Sequence, residues 1–549
     1  MILNGAQIAA ERLIAHGATT VFGYPGSAVL PLYDALYSYS DRIRHILTAH
    51  EQGAAHAADG YARASGRTGV VIATSGPGAT NLVTGIANAY LDSVPLVAIT
   101  GNVPVPLLGK DSFQEVDIAG ITQPIVKHSF VVRRVENLEY ILDEAFRIAQ
   151  SGRQGPVLVD IPKCVQSDMC EYIGNQPNHT RKPTCRFDTE RVIAAVKNSK
   201  RPYIYAGGGV IASGAEKNLL RLSERLSAPV GLSLMGLTSL PCHYPLNLGM
   251  SGMHGKYAAS AAKDECDLLI ALGVRFSDRA TGNTAEYAKD KTIIHVDIDN
   301  AEIGKNITSH IDICGDVNDV LDIMLKELPQ TSCPDWLTRI NELKKINTQS
   351  MSGDFNPQTV IETVGRYCDP DTVIATDVGQ HQMWTAQYYR FRQPRTLLTS
   401  SGLGAMGFGL GAAIGGCIAK NAGRTVLFTG DGSFGMNLTE LATAVSQKLP
   451  IVIVVLNNNA LGLPRQWQGA FYNKRYSHST LNRSTDFAAV ARAFGAEGYS
   501  VSTLSELTAA LENLTDRLPT VIDCRIDIDQ SVFPMIPPGG SVRDIMEEE

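Results

Sequence analysis

Thr425-Val-Leu-Phe-Thr-Gly-Asp-Gly-Ser-Phe-Gly-Met-Asn437 is an apolar strand run, a Gly-rich turn and a helix start in thirteen consecutive residues. After an amphipathic stretch comes a second apolar strand led by proline, Pro450-Ile-Val-Ile-Val-Val-Leu456. The same sentence is written earlier in the chain: Val70-Val-Ile-Ala-Thr-Ser-Gly-Pro-Gly-Ala-Thr-Asn81, followed by Pro95-Leu-Val-Ala-Ile-Thr-Gly101. The spacing from turn glycine to proline is nearly equal, Gly76 to Pro95 and Gly430 to Pro450. Two matching βαβ units this far apart predict two related α/β domains with a further block between them.

Chemistry enters with the second copy. Asp431 leaves one strand within Gly430-Asp-Gly432, and Asn457-Asn458-Asn459 leaves the next. Parallel strands present their carboxyl ends on one edge, where α/β sheets bind ligands. A carboxylate and an amide oxygen meeting there suit Mg2+, which takes few protein ligands and completes its shell with water and phosphate oxygens. Gly430 and Gly432 allow close backbone approach, and Ser433 opens a helix whose first amides favour an anion. Gly-Asp-Gly alone would read as a strand turn with an N-capping Asp; Asn458 after a further apolar strand reverses that preference. The pair resembles the motif of thiamine diphosphate (ThDP) enzymes.

Composition fits a large enzyme. The chain has 549 residues, 44% hydrophobic and 19% charged, with 50 Gly, which suits about three domains. A net charge of −7 without a basic cluster argues against nucleic acid. No apolar run has the length of a membrane span. The helical pattern Gln7–Leu13 begins almost at once, so no signal or transit peptide is expected. Ten scattered cysteines without Cys-x-x-Cys read as reduced thiols and a cytoplasmic protein. Composition shifts predict α/β blocks at 1–165, 190–330 and 358–530. A polar linker over 165–188 carries Pro177, Pro183 and Cys185, and a second connection over 329–357 is interrupted by the helical Trp336–Leu343. Residues 531–549, with Pro537-Pro-Gly-Gly540, read as a tail and possible lid.

His50-Glu51-Gln52-Gly53-Ala54-Ala55 starts a small-residue helix, and by spacing alone Glu51 reads as a cap. Whole strings then extend the resemblance over essentially the entire chain. They include Phe22-Gly-Tyr-Pro-Gly26, Thr74–Asn81, Phe113-Gln-Glu-Val-Asp117, Lys127-His-Ser-Phe130 and Gly252-Met-His-Gly255. Further on are Asp377-Val-Gly-Gln-His-Gln-Met-Trp384, Gly402-Leu-Gly-Ala-Met-Gly407 and Arg465-Gln-Trp-Gln468. Together they are similar to the acetolactate synthase (acetohydroxyacid synthase) large, catalytic subunit.

That resemblance implies three doubly wound parallel-sheet domains: 1–165 binding the ThDP pyrimidine, 190–330 FAD-binding-like, and 358–530 binding diphosphate and Mg2+. It implies that Glu51 hydrogen-bonds the aminopyrimidine of a ThDP held by another subunit, so the minimal unit is a homodimer, or a homotetramer built from it. Asp431, Asn458 and the Ala460 carbonyl would ligate Mg2+. Gly379, Gln380, His381, Gly404, Gly430, Gly432, Ser433 and Gly462 would hold the cofactor, with Met406 propping its bent shape. Phe113 and Gln114 would line the pyruvate side, Lys163 and Arg279 the mouth, and Trp467 the acceptor pocket. On residues alone, without the surrounding strings, Phe113 and Trp467 read rather as core aromatics and Gln114 as a satisfied loop amide.

Tyr203-Ile-Tyr-Ala-Gly-Gly-Gly-Val210 is by itself a weak dinucleotide signal, and Ile294-His-Val-Asp-Ile-Asp299 ends a strand on acids able to take ribose hydroxyls. The resemblance implies FAD at Arg153, Gly207, Gly208, Gly209, His254, Arg275, Arg279, Asp297 and Asp316, with no redox step in the main reaction. The implied activity is decarboxylation of pyruvate and transfer of the two-carbon unit to pyruvate or 2-ketobutyrate. The products are 2-acetolactate or 2-aceto-2-hydroxybutyrate, for branched-chain amino acids, and a small regulatory subunit is a possible partner. The alternatives are another ThDP 2-ketoacid decarboxylase or carboligase and a pyruvate oxidase-like flavoenzyme. Four departures from the family pattern stand out: Ser27, Ser277, Asn457 and Leu463-Pro464. The last puts a residue without a backbone donor over the reacting carbon.

Overall fold

The computed structural model describes residues 1–177, 185–346, 351 and 353–547, so Pro183 of the expected linker lies outside the described residues. Three six-stranded sheets dominate, every pairing within them parallel. The first runs Arg44–Leu47, Thr20–Tyr24, Gly69–Ala73, Leu96–Asn102, Pro156–Pro162, His128–Val131 across the sheet. The last runs Leu397–Leu398, Val373–Thr376, Thr425–Gly430, Ile451–Asn457, Thr520–Arg525, Glu497–Val501. Ranked by chain order, both wind identically: second, first, third, fourth, sixth, fifth. The repeated sequence unit is therefore the third and fourth strand of each sheet. The middle sheet is wound differently: Asn247–Met250, Val230–Leu232, Pro202–Ala206, Leu268–Leu272, Thr292–Asp297, Ile311–Cys314. That is the strand order of dinucleotide-binding folds.

Burial on both faces explains the unbroken apolar runs. In the last sheet Val426 and Phe428 enter one core while Leu427 enters the other. In the first, Val70 and Ile72 point opposite to Val71 and Ala73. One of these cores is shared between the first and last sheets, and another between the middle and last. The shared core is closed by helix Glu51–Ser65 packing along helix Phe408–Ala419. Only glycines permit that approach: a Cβ on Gly60 would overlap the Ala412 carbonyl, and one on Gly415 the Ala57 carbonyl. Gly415→Ala should therefore cost about 1–3 kcal/mol, the usual range for overpacking, read as a lower denaturation midpoint.

Two segments differ from the sequence expectation. Within the expected linker, Met169–Glu171 forms a strand antiparallel to Ile2–Asn4, pinning the chain's start to the end of its first unit. The stretch beyond 531 is a packed strap: Val532 and Met535 are fully buried, Ile536 N–H donates to the Met253 carbonyl, and Asn283 N–H to that of Gly540. Proline and glycine there shape a fixed path across the middle and last units.

Candidate active site

Each expected ligand sits where a parallel strand ends. After Val373–Thr376 come Gly379, Gln380 and His381; after Thr425–Gly430, Asp431 to Ser433; after Ile451–Asn457, Asn458 to Gly462. The helix starts at Asp431, two residues before the expected Ser433, with Gly430 in the capping position. Glycines make the cradle. A Cβ on Gly430 would lie 2.8 Å from His381 Nδ1, and one on Gly462 would overlap the Gln380 amide. Gln380 accepts from Asn458 Nδ2 at 3.1 Å, and Ser433 donates to the Val378 carbonyl at 2.9 Å. Met406 is close by, its methyl 3.8 Å from where a Gly432 Cβ would stand.

Two buried polar atoms in this cradle lack partners, Asp431 Oδ1 and His381 Nε2. Burial pushes the Asp431 carboxyl up to about 6 and the His381 imidazole down to about 3, so the histidine is neutral at pH 7. A desolvated carboxyl with one unpartnered oxygen, at the end of the strand next to the one that Asn458 follows, suits a hard cation. Among the described residues no three His, Cys, Asp or Glu side chains gather as a metal cluster, so such an ion would need amide, carbonyl and outside oxygens. Asn457 faces away: its amide donates to buried Asp523 at 2.8 Å, where a second carboxylate would repel.

The remaining expected residues form two other groups. Glu51, Phe113, Gln114 and Lys163 all follow strands of the first sheet, at its carboxyl edge. Glu51 is half-buried and accepts from Asn81 Nδ2 at 2.9 Å. Phe113 is 87% exposed on a turn whose Glu115 carboxylate accepts from Gly109, Lys110 and Ser112 N–H. Gln114 adopts φ +58°, pressed against Gly76. Ser27, also on this edge, is exposed.

A cleft of about 1510 Å3 runs between the units, lined by Arg153, Gly208, Gly209, His254, Arg275, Arg279, Asp297 and Asp316 and also by Gly404, Leu463, Pro464 and Trp467. None of the Glu51 group lines it. Arg279 lies over the Trp467 ring at 5.2 Å. Pro464 falls in the first turn of helix Gly462–Phe471, where a missing N–H costs nothing, so the departure there changes shape rather than hydrogen bonding. Gly207 does not line the cleft: it and Gly209 let this turn pack on Gly273, whose backbone a Cβ at either would meet. Asp316 caps helix Val317–Glu327, while Ser277 borders the cleft. Arg275 is lowered by burial and by repulsion from Arg153, an arrangement that a bound anion would relieve. Asp297, at a strand end, is pushed up to about 6 by burial.

Sequence reasoning missed the groups that hold these pieces in place. Arg63, buried, bridges Asp59 and Asp92; Asp92 in turn accepts from Ser401 and Gly402 N–H. Asn88 joins Asp59 to Ser400, whose hydroxyl accepts from Ala405 N–H, next to Met406. Asp377 accepts from Gly407 N–H on the other side. Apart from Asp59–Arg63 and Ser400–Ala405, the partners lie far along the chain, so little local pattern marks the network.

Comparison with known proteins matches this arrangement. Residues 3–121, 189–324 and 377–524 match, respectively, the thiamine pyrophosphate enzyme N-terminal TPP binding, central and C-terminal TPP binding domain families. The acetolactate synthase isozyme 2 large subunit of Escherichia coli K12 is 44% identical over 100% of both chains. A probable acetolactate synthase large subunit of Methanocaldococcus jannaschii is 44% identical over 99% of this chain and 95% of its own. Isozyme 3 of E. coli is 42% identical over 99% and 98%. With three thiamine pyrophosphate units in series and this likeness along its whole length, the chain is a ThDP-dependent enzyme belonging to the acetolactate synthase large-subunit family.

Proposed function

We propose that the chain decarboxylates pyruvate and ligates the two-carbon unit to a second 2-ketoacid, making 2-acetolactate or 2-aceto-2-hydroxybutyrate for valine, leucine and isoleucine synthesis in the cytoplasm. The observation that carries the chemistry is the buried, unpartnered Asp431 oxygen within a glycine cradle beside Asn458. Bound ThDP supplies an electron sink for decarboxylation.

In this reading residues 358–530 hold the diphosphate through Gly379, Gln380, His381, Gly404, Gly430, Gly432, Ser433 and Gly462. Asp431, Asn458 and the Ala460 carbonyl would hold Mg2+, and Met406 would support the ring system. Residues 1–165 bring the pyrimidine side, where the Glu51 carboxyl exchanges a proton with the aminopyrimidine. Lys163 and Arg279 attract the ketoacid carboxylates, with Phe113 and Gln114 beside pyruvate. Residues 190–330 would hold FAD, whose anionic part would relieve the repulsion between Arg153 and Arg275. The strap over residues 531–547 keeps water from the reacting carbon.

A homodimer is part of this reading: none of the Glu51 group lines the cleft, and a second copy would bring it to the cofactor. The relatives are named large subunits, and a small regulatory subunit is part of this proposal. Incubating purified protein with pyruvate, ThDP, Mg2+ and FAD and identifying the product tests the activity. Acetaldehyde alone would indicate a plain decarboxylase, and anaerobic bleaching of the flavin an oxidase.

Trp467 offers a test of acceptor choice. Trp467→Leu should leave pyruvate homocoupling largely intact and reduce the preference for 2-ketobutyrate by about 1–2 kcal/mol, the reach of one methylene contact. Competition assays with both acceptors read this directly. An unchanged product ratio would reduce Trp467 to packing under Arg279.

A further inference from the structure

Glu440 is a carboxylate with no exposure to solvent, and the reaction chemistry above gives it no role. It lies three residues beyond helix Asp431–Asn437, on the last unit, yet its side chain reaches across to the first. Oε1 accepts from His50 N–H at 3.0 Å and Oε2 from Ala49 N–H at 3.2 Å. Thr443 donates its hydroxyl to Oε2 at 2.6 Å. These two amides belong to the turn that immediately precedes Glu51.

The rest of that turn is fixed to match. Thr48 donates its hydroxyl to the His50 carbonyl at 3.1 Å, and His50 Nδ1 caps the helix by accepting from Gln52 N–H at 3.1 Å. Gly53 faces the Glu440 carboxylate so closely that any Cβ would overlap it. Glycine at this position is thus the counterpart of the glutamate. Burial raises the Glu440 carboxyl, while the bonds from Thr443, Ala49 and His50 oppose that rise by favouring the charged acceptor.

We propose that Glu440 is the positioning residue for Glu51. It fixes, against the last unit of its own chain, the carboxyl that must meet the aminopyrimidine held by the second copy. The role attributed to Glu51 rests on the function proposed above; the anchoring of its turn does not.

The first test needs no cofactor. Amide hydrogen exchange, followed by mass spectrometry, is measured on the peptide spanning residues 47–53 of the cofactor-free protein. Glu440→Gln keeps the volume but offers one acceptor oxygen and turns an NH2 group toward backbone N–H. Exchange over 47–53 should accelerate, while the peptide over Phe408–Ala419 keeps its wild-type rate. In the loaded enzyme, kcat should fall by at least about tenfold, within the range for a misplaced catalytic group. The pyruvate KM should stay within about twofold, as expected when an interaction of the transition state is lost.

The double variant Glu51→Gln/Glu440→Gln should be no slower than Glu51→Gln, because nothing is left to position. Unchanged exchange over 47–53, or losses that multiply in the double variant, would overturn the proposal. Should Glu440→Gln not fold, Thr443→Val removes one donor alone: faster exchange supports the anchoring, wild-type exchange refutes it. A wild-type protein that forms no acetolactate would sink the functional reading, while the exchange result would still decide whether Glu440 holds this turn.

Discussion

Glu51→Gln should lose about 100-fold or more in turnover while binding ThDP nearly as well as the parent. The amide keeps size and can still accept from Asn81, so the turn and helix stay as they are. What disappears is a transferable proton, and general acid–base contributions are about 100- to 10,000-fold. Diphosphate anchoring is on another sheet, so cofactor affinity, read by titration of intrinsic fluorescence, should move little. Turnover close to wild type would take Glu51 out of the mechanism.

Asp431→Asn should have the second large effect, weakening Mg2+ and ThDP together. The buried Oδ1 has no protein partner to lose, and the amide oxygen can still accept the backbone bonds, so folding should survive; removing a buried charge relieves desolvation. A Mg2+ held by the proposed set would, however, lose its only charged protein ligand. Titrations of ThDP with and without a chelator separate the outcomes: ThDP binding that ignores both the chelator and the substitution would disprove the metal assignment. Mixing the two inactive proteins adds a sharper test. If a second copy brings the Glu51 edge to the Asp431 cradle, a mixed dimer contains one site with both residues intact, and activity should return on mixing. No recovery after verified subunit exchange would argue for a site within one chain.

The strands were legible because burial on both faces leaves nothing polar to interrupt them, as in Ile451–Asn457. Asp431 and Asn458 were legible because sheet geometry itself turns their separation in sequence into proximity at one edge. The shared winding of the outer sheets was visible only as one repeated unit, since strand order is set by crossovers whose partners are far apart. Glu440, Asn88 and Asp92 were silent for a related reason. A lone acid or amide among small residues has no signature until a fold brings up the backbone amide it serves. Exposure misled as well: Phe113 reads as core by type, and the single chain leaves it almost wholly outside. The strap was hidden by composition, because Pro537-Pro-Gly-Gly540 in sequence looks the same whether frayed or fixed.

That strap makes the carboxyl terminus a poor handle. Gln466, on the helix that carries Trp467, donates to the Val532 carbonyl at 3.0 Å and accepts from Val532 N–H at 2.9 Å. Gln380 donates to the Gln530 carbonyl at 2.9 Å. Cutting the chain at residue 529, or pulling on it through an immobilised tag, would take the Val532 and Gln530 backbone partners from these two glutamine amides and remove or dislodge the fully buried Met535. Purification and display formats for this enzyme are better attached at the amino end, where Met1 is exposed and far in sequence from every group in the catalytic cradle.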